Sequence, residues 1–377
     1  MCGKLIVDSK RRSYVDIIKG WAMLIIITFH CSQGCFSGFI GEFLGRPWSV
    51  AVFFIVAGFF LKEDVLSLTM LFLKKKLYRL YVPATVIYAC SVLLHNLFVS
   101  FGWYPIGYVH PTSGVPFNYY GLKDIVIGLA KVLAAGGSGE LAMGAMWFIY
   151  TLLYAFVSLA LLYWVMKRIC KKETLFYLMS VLLLMIAAVS CVLTQKYGIM
   201  INRFSTAFTA MWLIWWGMII NQKWRWQFDK WWGLWVAVLV FVHCVIMQRS
   251  EITLARNEYQ DLVQLTIGST AAIYLLGFIG KMIKDSFVGK FFALLGRESL
   301  YLMAFHIIGF FICNSLLVKL GVFKIGDEKG LYTYKFGNNP LILLAYVSFA
   351  IGTSFVILYL YRFAKHIVLQ VAMRSKK

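Results

Sequence analysis

The sequence predicts an all-α fold, a polytopic membrane helix bundle of about ten transmembrane helices, each of about 20 mostly apolar residues. Three observations carry this expectation. The 377 residues are 61% hydrophobic and only 14% charged, with a mean hydropathy of +0.77. A soluble domain averages about 45–50% apolar and about 25% charged residues, and surface-to-volume scaling keeps a soluble core from absorbing the excess. The apolar residues also form long, nearly uniform runs, unlike the alternating segments of about ten residues in an outer-membrane barrel. Finally, Lys and Arg collect in small clusters between those runs.

In order, the expected spans are 15–33, 48–62, 79–101, 145–166, 174–194, 204–221, 231–248, 264–283, 298–319 and 340–363. The second is short for a crossing, which suits a tilted, extended or partly re-entrant helix. Together with Lys19, one side holds 26 of the 37 Lys and Arg, from Lys4, Lys10, Arg11 and Arg12 to Arg374, Lys376 and Lys377. By the positive-inside rule that side is cytoplasmic, and an even helix count puts both termini there. The longest opposite loop, about 102–144, includes a helix-like piece, 122–134, that suits the membrane surface. We find no internal repeat, so one membrane domain covers residues 1–377. The net charge of +21 is scattered, with no basic arm or basic helix face, and points to membrane topology rather than a nucleic-acid surface. The lipid bilayer is therefore the expected partner, and no nucleic acid is.

The 8 cysteines mostly lie in apolar runs. Cys31 and Cys35 are the only close pair, and no second pair completes a zinc site, so no metal is expected. The first apolar run lacks a small-residue cleavage site and leads into more membrane segments, unlike a cleavable signal peptide.

Ionisable side chains inside spans are costly and are functional candidates by default. The first span carries Asp16, Lys19 and His30. Asp16 and Lys19 are three apart and share a helix face. His30 follows Lys19 by eleven residues, close to three whole turns and about 16 Å along the axis, on nearly the same face. A second histidine, His306, lies in the ninth span behind Gly296, Arg297, Glu298 and Ser299. Between the second and third spans stand Lys74, Lys75, Lys76 and Arg79, closed by Pro83. Cations at the mouth of a bundle can hold phosphates.

In order and spacing these pieces resemble the acyltransferase 3 family of integral membrane acyltransferases. The resemblance rests on Asp16, Lys19, Gly20 and His30 in the first helix and on Phe53 to Phe59 in the second. It extends to the basic segment closed by Pro83, the Trp147–Phe148 pair, and Gly296, Ser299 and His306. Many members carry Arg where this chain has Lys19 and Ser where it has Ala57. The Lys form and the short chain are similar to the branch of sugar O-acetyltransferases.

The resemblance implies an enzyme that moves an acetyl or other short acyl group from acyl-CoA, usually acetyl-CoA, to a hydroxyl. The acceptor would be a surface glycan or its lipid-linked precursor, and the setting the bacterial cytoplasmic (inner) membrane. Under it, His30 serves as base or acyl carrier. Lys19, Arg79 and Lys74 to Lys76 face the CoA end, and Asp16 orients Lys19. His306 and Arg297 are supporting candidates, and Trp147 is a platform for sugar or acyl group. A transporter or flippase for a glycan or lipid would share the helix count and the intramembrane charges, although no repeat halves or paired broken helices are visible. A catalytically inactive scaffold is a further alternative.

Overall fold

A computed structural model of the protein describes residues 13–32, 48–109, 116–134, 139–247, 253–259, 261–324, 326–329 and 331–374. Among these residues every long regular element is a helix, and the extended pairings are isolated bridges such as Val109 with Pro116. The protein is an all-α membrane helix bundle. Six helices among the described residues are long and apolar enough to cross a membrane, joined by shorter apolar ones.

The chain opens with α1 (Ser13–Ser32) and α2 (Trp48–Phe59). Nearly every residue of α2 is buried. Its 12 residues extend only about 18 Å, against about 30 Å of hydrocarbon. The shortfall is tolerated because α2 is enclosed by α1 and two later helices, α10 (Asn202–Met218) and α12 (Leu262–Ile283), rather than by lipid. Reciprocal glycines set the crossing with α10. A Cβ on Gly58 would fall 1.9 Å from the Ile214 carbonyl, and one on Gly217 would fall 1.9 Å from that of Ile55.

The third expected span arrives in pieces. Two short helices, α3 (Glu63–Ser67) and α4 (Thr69–Lys76), lead through a π turn (Leu77–Tyr81) into α5 (Val82–Leu93) and α6 (His95–Ser100). Pro83 supplies the cause: it lacks an N–H and its ring excludes the carbonyl four residues back, so the register widens just upstream. The next helix, α7 (Leu122–Leu133), runs back beside α5. Asn96 clasps the backbone of Tyr120, Gly128 faces Val92, and the Tyr81 hydroxyl donates to the Leu133 carbonyl at 2.5 Å. The sequence suggests a surface piece here; the structure rests its buried Gly128 and Val132 on the bundle.

A 3-10 turn (Leu141–Met146) opens α8 (Trp147–Ile169), followed by α9 (Lys172–Tyr197). Beyond α10 come α11 (Trp231–Met247), α12, α13 (Phe287–Arg297), α14 (Ser299–Lys319) and α15 (Pro340–Arg374). Large exposed side chains such as Val181, Val189, Val356 and Leu360 line the outer faces of α9 and α15. In water such faces would be a liability; against lipid they match the solvent.

The short α13 hugs α1. It starts at Ser286, whose hydroxyl caps it by accepting from the Gly289 N–H at 3.0 Å. A Cβ on Gly20 would lie 2.0 Å from the Phe292 carbonyl, and one on Gly296 would lie 1.8 Å from that of Asp16. Gly20 and Gly296 thus let two backbones touch, and Trp21 stacks on Phe292 with centroids 3.8 Å apart.

Contacts at the helix ends fall into two groups. At one, Lys223 pairs with Glu63 (3.2 Å), Lys281 with Asp229 (3.8 Å) and Arg362 with Glu298 (2.8 Å). We call this the basic end. At the far end, Thr333 donates to the Cys31 carbonyl (2.9 Å), and Asn257, buried with φ of +57°, ties Thr209 to Ser190 and Thr194.

Candidate active site

The first helix is flanked by α14, and this neighbourhood joins the two intramembrane histidines. His30 Nδ1 stands 2.9 Å from His306 Nε2, with the rings nearly parallel at 4° and their centroids 5.1 Å apart. The hydrogen-bond network fixes the protons. His306 Nδ1 lies 2.8 Å from the Leu302 carbonyl, which can only accept, so that nitrogen carries the hydrogen. In a neutral ring His306 Nε2 is then an acceptor, and His30 Nδ1 must donate to it. His30 Nε2 is left with a lone pair. His306 is fully buried, whereas His30 is half-buried. A nitrogen base whose tautomer is set by a second residue behind it is the arrangement that acyl transfer requires.

A loop segment closes over this pair. The Tyr332 ring meets His30 edge-on at 5.8 Å and 67°. Asn314 Nδ2 donates to the Tyr332 carbonyl at 2.9 Å and accepts through Oδ1 from the Tyr346 hydroxyl at 2.6 Å. With Thr333 held on Cys31, the loop is pinned from both sides. Gly144 makes room for the Tyr332 hydroxyl, which a Cβ there would approach to 2.2 Å. Burial pushes the Tyr332 phenol well above its usual range. It therefore stays protonated and able to donate to a developing oxyanion.

At the basic end Lys19 Nζ lies 3.1 Å from Asp16 Oδ1; the Asp16 carboxylate is buried and the Lys19 ammonium partly open. Arg297 follows Gly296, which touches the Asp16 carbonyl, and its side chain is exposed. Lys75 and Arg79 are exposed as well, while Lys76 turns inward over the Phe156 ring at 3.4 Å. Burial, with the Lys75 and Arg79 charges beside it, pulls the Lys76 ammonium down to about 7. No described carboxylate pairs with these three cations. Trp147, half-buried, starts α8 and meets Phe148 edge-on; Phe148 in turn receives Phe53 and Phe54. The expected residues thus form separate groups: the histidine pair, Lys19 with Asp16 about three helical turns away along α1, and Lys75, Lys76 and Arg79 on α4 and the π turn against α8.

A model of the acyltransferase 3 family, described as an acyltransferase domain, matches residues 12–359. The chain belongs to this family. It is an integral membrane acyltransferase, and every residue placed above falls within the matched stretch except those beyond 359. No curated protein and no solved structure matches the chain.

For an acyltransferase, the sequence left several of these features unmarked. Tyr332, Thr333, Asn314 and Tyr346 reach His30 only through the loop after α14; the one signal is a Tyr–Thr–Tyr run in a loop where polar residues are otherwise exposed. His95 and Glu140 form a second unmarked pair. His95 Nδ1 lies 3.0 Å from Glu140 Oε2 and Nε2 lies 2.9 Å from the Asn118 carbonyl, both side chains being fully buried. Tyr120 stacks on the imidazole at 3.4 Å. This knot fastens the loops around α7 to α6. An apolar groove of about 520 Å³ between α11 and α12, lined by Trp216, Trp226, Trp232 and Tyr274, includes neither His30 nor His306.

Proposed function

We propose that the protein is an O-acyltransferase that moves an acetyl, or another short acyl group, from acyl-CoA to a hydroxyl of a surface glycan or its lipid-linked precursor. The observation that carries this reading is the tautomer-locked His30–His306 pair. His30 Nε2 takes the proton of the acceptor hydroxyl as its oxygen bonds to the thioester carbonyl carbon. The carbonyl becomes an oxyanion, for which the Tyr332 hydroxyl is the candidate donor. Collapse of the tetrahedral intermediate breaks the carbon–sulfur bond, and the proton on His30 leaves with the CoA thiolate. His306 accepts from His30 Nδ1–H throughout and steadies the transient imidazolium. In the carrier variant, His30 Nε2 itself attacks the thioester and expels the CoA thiolate; the acceptor hydroxyl then takes the acyl group from His30 and gives its proton to the thiolate.

The unpaired cations Lys75, Lys76 and Arg79, with Lys19 oriented by Asp16, suit the CoA phosphates. Trp147 suits a sugar or acyl face. We place the basic end and both termini in the cytoplasm of a bacterial inner membrane, where acyl-CoA is made, and His30 toward the opposite face. The family assignment favours this reading over a glycan or lipid transporter. Two measurements test it. Purified protein in nanodiscs should transfer label from acetyl-CoA to a glycan fraction, and surface polysaccharide from a deletion strain should lack O-acyl signals by NMR. Polysaccharide unchanged from the parent, with no transfer by the purified protein, would refute it.

A further inference from the structure

At the far end, α10 begins with a cation that the catalytic reading does not use. Arg203 stands in the first turn of α10, and its Nε is buried without a hydrogen-bond partner. Tyr154 of α8 packs on the next residue, Phe204, with ring centroids 4.9 Å apart, and Arg203 is within electrostatic reach of Tyr88 of α5, so three helices meet at this end. Among the described residues no carboxylate forms an ion pair with Arg203. Glu140, whose charge reaches Tyr88, is committed to His95. Guanidinium does not lose its proton in proteins, and a half-buried cation with no described counter-charge carries part of the cost of burial. Two further buried hydroxyls, those of Thr85 and Tyr150, lie beside one another without a well-formed hydrogen bond. Tyr150 stacks on Tyr88 with centroids 5.5 Å apart.

The cluster is continuous with the histidine pair. The Tyr88 hydroxyl donates to the Met143 carbonyl at 3.1 Å; the next residue, Gly144, abuts the Tyr332 hydroxyl; and the Tyr332 ring is edge-on to His30. A guanidinium fork backed by phenol and threonine hydroxyls is the donor set for a carboxylate or phosphate group. Lys75, Lys76 and Arg79 already provide cations at the other end. We propose that Arg203, with the Tyr150 and Thr85 hydroxyls beside Tyr88, binds an anionic group on the acceptor and holds the acceptor beside His30. That the bound molecule is the acceptor rests on the acyltransferase reading; that the cluster binds an anion does not.

The test is binding of three sugars to the purified full chain in phosphatidylcholine nanodiscs, read by saturation-transfer NMR: glucuronate, glucose 6-phosphate and, as the neutral control, glucose. One or both anions should bind at least about tenfold more tightly than glucose, the ratio expected from hydrogen bonds to a charged group; which one does so separates a carboxylate from a phosphate. Arg203→Gln should abolish the preference, and Arg203→Lys, which keeps the charge and loses the fork, should retain part of it. Equal binding of all three sugars by the wild type, or an undiminished preference in Arg203→Gln, would overturn the proposal. If Arg203→Gln fails to fold, the wild-type ratios and Arg203→Lys decide. Anion preference without transfer from acetyl-CoA would sink the donor reading and leave the anion site; transfer without anion preference would do the reverse.

Discussion

Replacing His306 isolates the step in which one imidazole sets the state of the other. In His306→Ala, His30 Nδ1–H loses the acceptor that stands 2.9 Å away. Leaving a buried donor unsatisfied costs about 1–3 kcal/mol of stability, which is tolerable for a bundle of this size. The larger effect is on rate. Without His306 the imidazole is free to flip or take the other tautomer, which places a hydrogen where the lone pair is needed. A positioned general base contributes about 10²–10⁴-fold, so kcat should fall by about 10²–10³-fold, short of complete loss because His30 remains. KM for acetyl-CoA should stay within about twofold, since the interaction removed acts at the transition state rather than in donor binding. His306→Gln offers an amide oxygen in place of Nε2 and should recover at least about tenfold of the loss. The assay is steady-state transfer of labelled acetyl to an acceptor by purified variants in nanodiscs. A well-folded His306→Ala with wild-type kcat would refute the proton assignment, as would a His306→Gln no better than Ala.

Other expectations follow from the same geometry. Because Lys76 sits near 7, its ammonium is present below that pH and lost above it; KM for acetyl-CoA should rise between about pH 7 and 8.5, and Lys76→Met should flatten that rise. Gly20→Val and Gly296→Val force side chains into backbone 2.0 Å and 1.8 Å away and should lower the midpoint of thermal unfolding, with the loss exceeding the about 1–3 kcal/mol of ordinary overpacking. Tyr332→Phe keeps the ring against His30 and removes one donor, so kcat should drop about tenfold to a hundredfold with little change in stability. A Tyr332→Phe enzyme of full activity would remove the hydroxyl from the mechanism.

The fold was largely legible because lipid imposes a simple pattern: long apolar runs with Lys and Arg between them on alternate sides. Each expected span holds helical structure, and the loops of like parity meet at the same end of the bundle. What local pattern cannot supply is register between distant helices. His30 and His306 were each visible as intramembrane histidines, yet their pairing depends on how α1 settles against α14, 276 residues along the chain. The same holds for Gly20 and Gly296, which mark a backbone contact that only the docked α13 explains. Pro83 was read as the close of a basic segment, while its larger effect is the π turn behind it. Arg203 is, in the sequence, one of the charges on the poorer side of the membrane; its placement near tyrosines of α5 and α8 is tertiary information. Tyr332 sits in a loop, where sequence pattern says least about which way a side chain faces.

The most direct test of the central claim is acetyl transfer by purified His30→Ala. If His30 Nε2 is the base or the acyl carrier, labelled acetyl-CoA should give transfer reduced by at least about 10²-fold in a protein that elutes and melts like the wild type. Transfer at the wild-type rate would contradict the account.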